Sequence, residues 1–174
     1  YTGAKYAVAV NSGTAALYLS YRASPASWAV RTSPLTFMAT ANAALLAGGL
    51  VSFVDVDQAT GNAIFTGKET GVIVPVHYAG RACPIPSWPI VIEDACHALG
   101  AMDFDGCSRV GSCAHSLATC FSFHPVKPIT TGEGGAVTTN DRGFADEVRC
   151  LRDHGRRDGL MVSLGGNYRM PDVL

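Results

Sequence analysis

Lys127 is the side chain of this sequence best suited to covalent chemistry. The chain holds three lysines, Lys5, Lys68 and Lys127. Lys5 is near the terminus, and Lys68 sits in the polar stretch Thr66-Gly67-Lys68-Glu69. Lys127 alone follows an apolar run, in Phe121-Ser122-Phe123-His124-Pro125-Val126-Lys127-Pro128. Prolines on both sides forbid a helix there and stiffen the backbone. An apolar setting disfavours the charged ammonium and leaves more neutral amine, which attack on an aldehyde requires. The competing reading is a lysine that snorkels to solvent.

Two further stretches pair with it. In Val91-Ile92-Glu93-Asp94-Ala95-Cys96-His97 an acidic pair ends an apolar run. A carboxylate there either faces a bound ligand or caps a following helix. Asn11-Ser12-Gly13-Thr14-Ala15 has the pattern of a strand-to-helix turn. Its unpaired N–H groups and the helix dipole suit a phosphate, although Ser12 or Thr14 could equally be a plain cap. Thr131-Gly132-Glu133-Gly134-Gly135 places three glycines in four residues ahead of a strand, which a tight turn explains by itself.

Other chemistries find little support. Gly61 and Gly67-Lys68 are one residue too far apart for a nucleotide phosphate loop, and Glu69 stands where Ser or Thr is needed. No histidine pair has the i, i+4 zinc spacing with an intervening Glu, so no metal is expected. The six cysteines form no C-x-x-C pair and sit mostly in apolar runs, which predicts core thiols in a reducing, cytoplasmic setting. The formal net charge is −1, with no basic stripe, so nucleic acid is not an expected partner. No apolar run has the length of a membrane span, and YTGAKYAVAV lacks the marks of a signal peptide.

These residues need elements to hold them. Short apolar runs at 4–10, 28–32, 50–54, 71–76, 89–92, 117–123 and 135–139 predict strands. Helical stretches are predicted at 15–23, 36–47 and 141–152. Buried strands alternating with helices predict an α/β domain with a mostly parallel central sheet. Ligands of such sheets bind at the carboxyl ends of strands, where the polar stretches fall.

Taken in order, the stretches resemble the DegT-type sugar aminotransferases, enzymes of pyridoxal 5'-phosphate (PLP) and fold type I. The resemblance is carried by Asn11-Ser12-Gly13-Thr14-Ala15-Ala16-Leu17, Thr36-Phe37-Met38-Ala39-Thr40-Ala41-Asn42, Phe53-Val54-Asp55-Val56-Asp57, Val91 to Gly100, Ser122 to Lys127 with Gly132 to Gly135, and Asn167-Tyr168-Arg169-Met170. It implies that Lys127 forms the Schiff base and moves the proton, and that Asp94 pairs with the pyridine nitrogen. It places His97 beside the cofactor ring and stacks Phe37 on it. Gly13, Thr14, Ala15 and Ser122 would hold the phosphate, and Asn167 would reach the phosphate of a neighbouring subunit, which implies a homodimer with shared active sites.

The implied substrates are glutamate and a nucleotide-linked keto sugar. Members with histidine in place of the lysine are dehydratases, and Lys127 favours amino transfer. His124-Pro125-Val126-Lys127-Pro128-Ile129-Thr130-Thr131 is similar to the enzymes of the pseudaminic-acid route that aminate C4 of a UDP-linked 4-keto-6-deoxy sugar. Two alternatives stay open: a PLP-dependent sugar dehydratase, and a non-catalytic or fragmentary PLP-binding module. Residues 1–174 match the three-layer PLP-binding large domain, apparently truncated at both ends, with the small C-terminal domain absent. Two connecting helices of the family also find no counterpart, between Asp57 and Val72 and between Pro84 and Pro89.

Overall fold

The computed structural model describes residues 1–25, 29–67 and 70–172. Trp28, where the second strand was expected to begin, and Lys68 and Glu69 lie outside the described residues.

The elements follow in chain order as β1 (Tyr6–Val10), α1 (Gly13–Ala23), β2 (Ala29–Thr32), α2 (Ala39–Leu46), β3 (Leu50–Phe53), β4 (Val72–Val74), β5 (Ile92–Asp94), β6 (Ala118–Ser122), β7 (Gly135–Thr139), α3 (Arg142–Arg152), and a two-stranded ribbon of β8 (Arg156–Arg157) and β9 (Leu160–Met161). Strands β1-β7-β6-β5 and β3-β2-β4 form two hydrogen-bonded groups. Parallel bridges Ile73–Val91 and Val76–Asp94 join β4 to β5. One twisted surface results, in the order β3-β2-β4-β5-β6-β7-β1. Pairing is parallel from β3 to β6, and β7 runs against both of its neighbours. This is the expected α/β class with a mostly parallel sheet.

Burial alternates along the strands as a sheet covered on both faces requires. Val72, Val74, Ile92, Ala118, Cys120 and Val137 pack with α1, α2 and α3 in one cluster. Ile73 and Phe121 point the other way, into smaller clusters with Val91 and with Ala95 and Val110. The three α-helices of the described residues therefore lie on one face. The second face is covered by irregular chain in place of the two helices that found no counterpart in the sequence.

Helix ends follow their chemistry. Ser12 caps α1 by accepting from Ala15 N at 3.0 Å, and Asp141 caps α3 by accepting from Phe144 N at 2.8 Å. Helix α3 buries Phe144, Ala145, Val148 and Leu151 at helical spacing, with Arg149 and Arg152 in its last turn. Helix α2 is shorter than the expected 36–47. Its cap residue Met38 makes no side-chain capping bond, so Thr36 and Phe37 stand in the approach to the helix rather than in it.

Candidate active site

A cavity of about 690 Å³ opens at the carboxyl ends of β1, β4, β5 and β6. Gly13, Thr14, Phe37, Asp94, His97, Ser122 and Lys127 all line it, from stretches far apart in sequence. The fold thus brings together seven of the nine expected site residues.

The turn after β1 leaves backbone donors at the cavity wall. Ser12 Oγ takes the N–H of Ala15, and Ser12 O takes that of Ala16 at 3.0 Å. The N–H groups of Gly13 and Thr14 have no partner among the described residues and lie at the positive end of α1. Gly13 is required sterically: a Cβ there would sit 2.7 Å from Ser122 Cβ and 3.1 Å from Cys96 Sγ. This close approach lets the first turn of α1 meet the end of β6, so Thr14 and Ser122 share one wall. Gly135 serves the same junction, since its Cβ would fall 2.6 Å from Ser12 O. Ala15 corrects the sequence reading. It is buried under the turn, does not line the cavity, and its amide is already used.

Asp94 ends β5 and is only 6% exposed. Its Oδ2 accepts from Thr40 Oγ1 at 2.7 Å and its Oδ1 from Cys96 N at 3.2 Å. No helix follows, so the capping alternative for Asp94 falls; the carboxylate stands in the cavity wall. Glu93, its neighbour, faces the opposite way because strand side chains alternate. Burial pushes the Glu93 carboxyl up. Hydrogen bonds with His77 at 2.7 Å, Ser116 and Thr119 at 2.8 Å outweigh this and hold it below the usual range. His77 Nδ1 accepts from Cys83 N at 2.9 Å, so its proton is on Nε2 and it donates to Glu93. This pair anchors the strand ends behind the cavity.

Lys127 sits in the loop 123–134 between β6 and β7. Its surroundings differ from the expected apolar setting. The lysine is half-buried, and Val126 and Ile129 beside it are exposed, in a loop that leaves the carboxyl end of β6. Its ammonium partner is His97, with Nζ to Nε2 at 2.7 Å. Burial first, and the Lys127 charge second, lower the pKa of His97, so the imidazole is neutral and accepts from the lysine. Burial raises the Cys96 thiol well above its ordinary range, and it faces the cavity as a neutral group.

Phe37 projects into the open side of the cavity and is 70% exposed. Asn167 does not line the cavity. Its backbone bridges to Asp153, its carbonyl accepts from Asn11 Nδ2 at 3.5 Å, and its side chain is exposed.

Sequence reasoning missed Thr40 and Tyr78. Thr40 falls in the stretch Thr36 to Asn42, where the resemblance implies a role for Phe37 alone. The available signal was a polar residue in phase with Ala43 and Ala44 on the buried face of an apolar helix. Tyr78 lines the cavity next to Ala79, which has a positive φ of 52°. Away from the cavity, Asp103, Asp105 and His115 cluster, with His115 Nε2 2.9 Å from Asp105 Oδ2.

Comparison with known proteins identifies the family. A model of the DegT/DnrJ/EryC1/StrS aminotransferase family matches residues 1–174. The chain is 41% identical to the UDP-4-amino-4,6-dideoxy-N-acetyl-beta-L-altrosamine transaminase of Campylobacter jejuni, over 99% of this chain and 51% of that protein. It is 37% identical to the GDP-perosamine synthase of Caulobacter vibrioides, with 99% and 51% covered. Among solved structures, Helicobacter pylori PseC, an aminotransferase involved in the biosynthesis of pseudoaminic acid, superposes with a TM-score of 0.85 at 34% identity. That match covers 97% of this chain and 50% of PseC. This chain therefore spans about half the length of the curated relatives it matches. The Campylobacter alignment runs over 197 positions although this chain has 174 residues, so the relative carries extra residues inside the matched region. On its motifs, its sheet order and these matches, the chain belongs to the DegT/DnrJ/EryC1/StrS aminotransferase family.

Proposed function

We propose that this chain forms the cofactor-binding part of a PLP-dependent nucleotide-sugar aminotransferase that moves an amino group from glutamate to a keto sugar. The observation that carries the reading is one cavity with a lysine amine, a buried carboxylate and two unpartnered helix amides. The residues fit the cofactor: Gly13 leaves the approach to the α1 amides clear, and both oxygens of Asp94 keep lone pairs for a further donor.

When bound, PLP supplies an aldehyde that exchanges amine partners and a ring that takes up electron density from the substrate. The protein groups do the rest. The amides of Gly13 and Thr14, with the hydroxyls of Thr14 and Ser122, bind the phosphate. Asp94 keeps a proton on the ring nitrogen by its negative charge. Phe37 covers the ring and excludes water from that side. Lys127 is the amine that holds the cofactor and then carries the proton at Nζ; neutral His97, 2.7 Å away, orients it and can take up a proton from it. Asn167, outside the cavity, would serve the phosphate of a second copy in a homodimer. A UDP-linked 4-keto-6-deoxy sugar as acceptor follows from the similarity to the Campylobacter transaminase. A cytoplasmic location fits a protein whose described helices include none long and apolar enough to cross a membrane, and whose six cysteines are all free.

The test is a visible absorbance spectrum of the protein with PLP, before and after glutamate, beside Lys127→Ala. The expected result is a band that the variant lacks and that glutamate shifts in the parent. A band unmoved by glutamate indicates a binding module without this donor chemistry. No band in the folded parent overturns the reading.

A further inference from the structure

Asp94 is not held by its own strand alone. Its Oδ2 is 2.7 Å from Thr40 Oγ1, and Thr40 Oγ1 is 2.6 Å from Thr36 Oγ1. Thr40 is fully buried, so its single hydroxyl proton must be placed well. Two acceptors compete for it: Asp94 Oδ2, and Phe37 O at 3.1 Å. The carboxylate is the nearer and the charged one, so it takes the proton. Thr36, half-buried, then donates to Thr40. The hydroxyls form a chain that runs Thr36 to Thr40 to Asp94.

The backbone locks this chain in place. Thr40 N donates to Phe37 O at 3.1 Å, and Thr40 O accepts from the buried Tyr21 hydroxyl of α1 at 3.1 Å. Between the two threonines stands Phe37, whose ring projects into the same cavity. One turn of chain, 36–40, therefore carries both the ring that lines the cavity and the hydroxyls that fix the carboxylate.

We propose that Thr40, backed by Thr36, is a positioning residue that sets the plane of the Asp94 carboxylate toward the cofactor's ring nitrogen and ties it to the placement of Phe37. The proposal rests on the cofactor reading given above. With Thr40 present, the carboxylate has one fixed donor on each oxygen, Thr40 on Oδ2 and Cys96 N on Oδ1. Without Thr40, only the longer bond at 3.2 Å remains. The buried carboxylate is then free to rotate its plane away from the cavity. That rotation weakens the contact with the ring nitrogen.

The experiment compares PLP with its 1-deaza analogue, in which carbon replaces the ring nitrogen. Binding of each is measured by absorbance titration to the parent chain, Thr40→Val and Thr40→Ser. Loss of one hydrogen bond to a charged group corresponds to about ten-fold in affinity. Thr40→Val is expected to lose about ten-fold for PLP and to bind the deaza analogue as the parent does. Thr40→Ser, which restores the hydroxyl, is expected to recover most of the PLP affinity. If Thr40→Val weakens both ligands equally, the residue serves packing only and the proposal is overturned. An unchanged PLP affinity overturns it as well. If Thr40→Val does not fold, Thr36→Val decides: a PLP-selective loss supports the relay, and equal effects on the two ligands overturn it. A parent chain that gives no band with PLP removes the cofactor reading and this proposal together, whereas a band without Thr40 dependence removes the proposal alone.

Discussion

Replacing Gly13 by alanine tests the link between fold and phosphate site. The added Cβ would lie 2.7 Å from Ser122 Cβ and 3.1 Å from both Ser122 Oγ and Cys96 Sγ. Ser122 cannot yield by a rotamer change, because the closest atom is its Cβ, on a strand locked in register with Gly135. Relief requires helix α1 and strand β6 to part by several tenths of an ångström. Overpacking of this kind costs about 1–3 kcal/mol. For a chain of this size each kcal/mol lowers Tm by roughly 2–4 °C, so a fall of about 2–12 °C is expected. On the proposed cofactor reading, the strain also lands where the Gly13 and Thr14 amides would meet the phosphate. Losing one such charge-assisted bond weakens PLP binding about ten-fold. Circular-dichroism melting and absorbance titration with PLP measure the two effects. Gly143→Ala is the comparison: its Cβ meets only the side-chain oxygen Asp141 Oδ1 at 3.3 Å, and alanine favours the helix. If Gly13→Ala keeps both Tm and PLP affinity, α1 and β6 are not in the contact described, and the steric account of the site is wrong.

Other measurements probe the supporting structure. Glu93 titrates below its ordinary value in the folded chain, so it contributes stability above the unfolded carboxyl range near 4.5, and that contribution is lost as pH falls through the depressed folded value. Urea midpoints between pH 6 and pH 3 should therefore fall less steeply in Glu93→Gln, which at pH 6 should itself be less stable by about 1–3 kcal/mol; identical slopes count against the account. Phe121 fills the space under Gly111 at 2% exposure, and Phe121→Ala should cost about 3–5 kcal/mol in denaturant unfolding, a loss under 1 kcal/mol being inconsistent with this core. Alkylation at pH 8 followed by mass spectrometry should label exposed Cys107 first and leave Cys83, pushed up to about 12 by burial, unlabelled until the chain unfolds. PLP should protect Cys96 in the same experiment, since that thiol lines the cavity.

The strands were legible because burial on both sheet faces leaves short apolar runs, and the site because its polar residues follow those runs. Asn11 to Thr14, Asp94 and Lys127 could be found that way without any knowledge of partners. Limits of elements were less legible. The run at 89–92 became Ile92–Asp94 in β5 because the parallel partner β6 begins opposite Ile92, a fact of tertiary pairing. The helix predicted from Thr36 starts at Ala39 because Phe37 O and the Thr36 hydroxyl are engaged with Thr40. Thr40 itself lies 54 positions from Asp94, and no local period signals a bond across that gap. The setting of Lys127 was misjudged because Val126 and Ile129 are apolar in sequence yet exposed in a loop, where sequence hydrophobicity says nothing about burial.

The register of the sheet has a mechanical consequence. Val10, Gly135 and Ser122 lie side by side on three paired strands, β1, β7 and β6. The turn with the Gly13 and Thr14 amides begins next to Val10, and the Ser122 hydroxyl ends β6. This wall of the cavity is thus tied into one hydrogen-bonded row. Lys127 is mounted differently, on the loop 123–134, whose closure rests on Phe123 N to Gly134 O at 2.8 Å and Thr131 N to Phe123 O at 3.0 Å. The division is that of a vice and a lever: one wall of the cavity is a fixed jaw, while the amine is carried on a loop rooted at the end of β6.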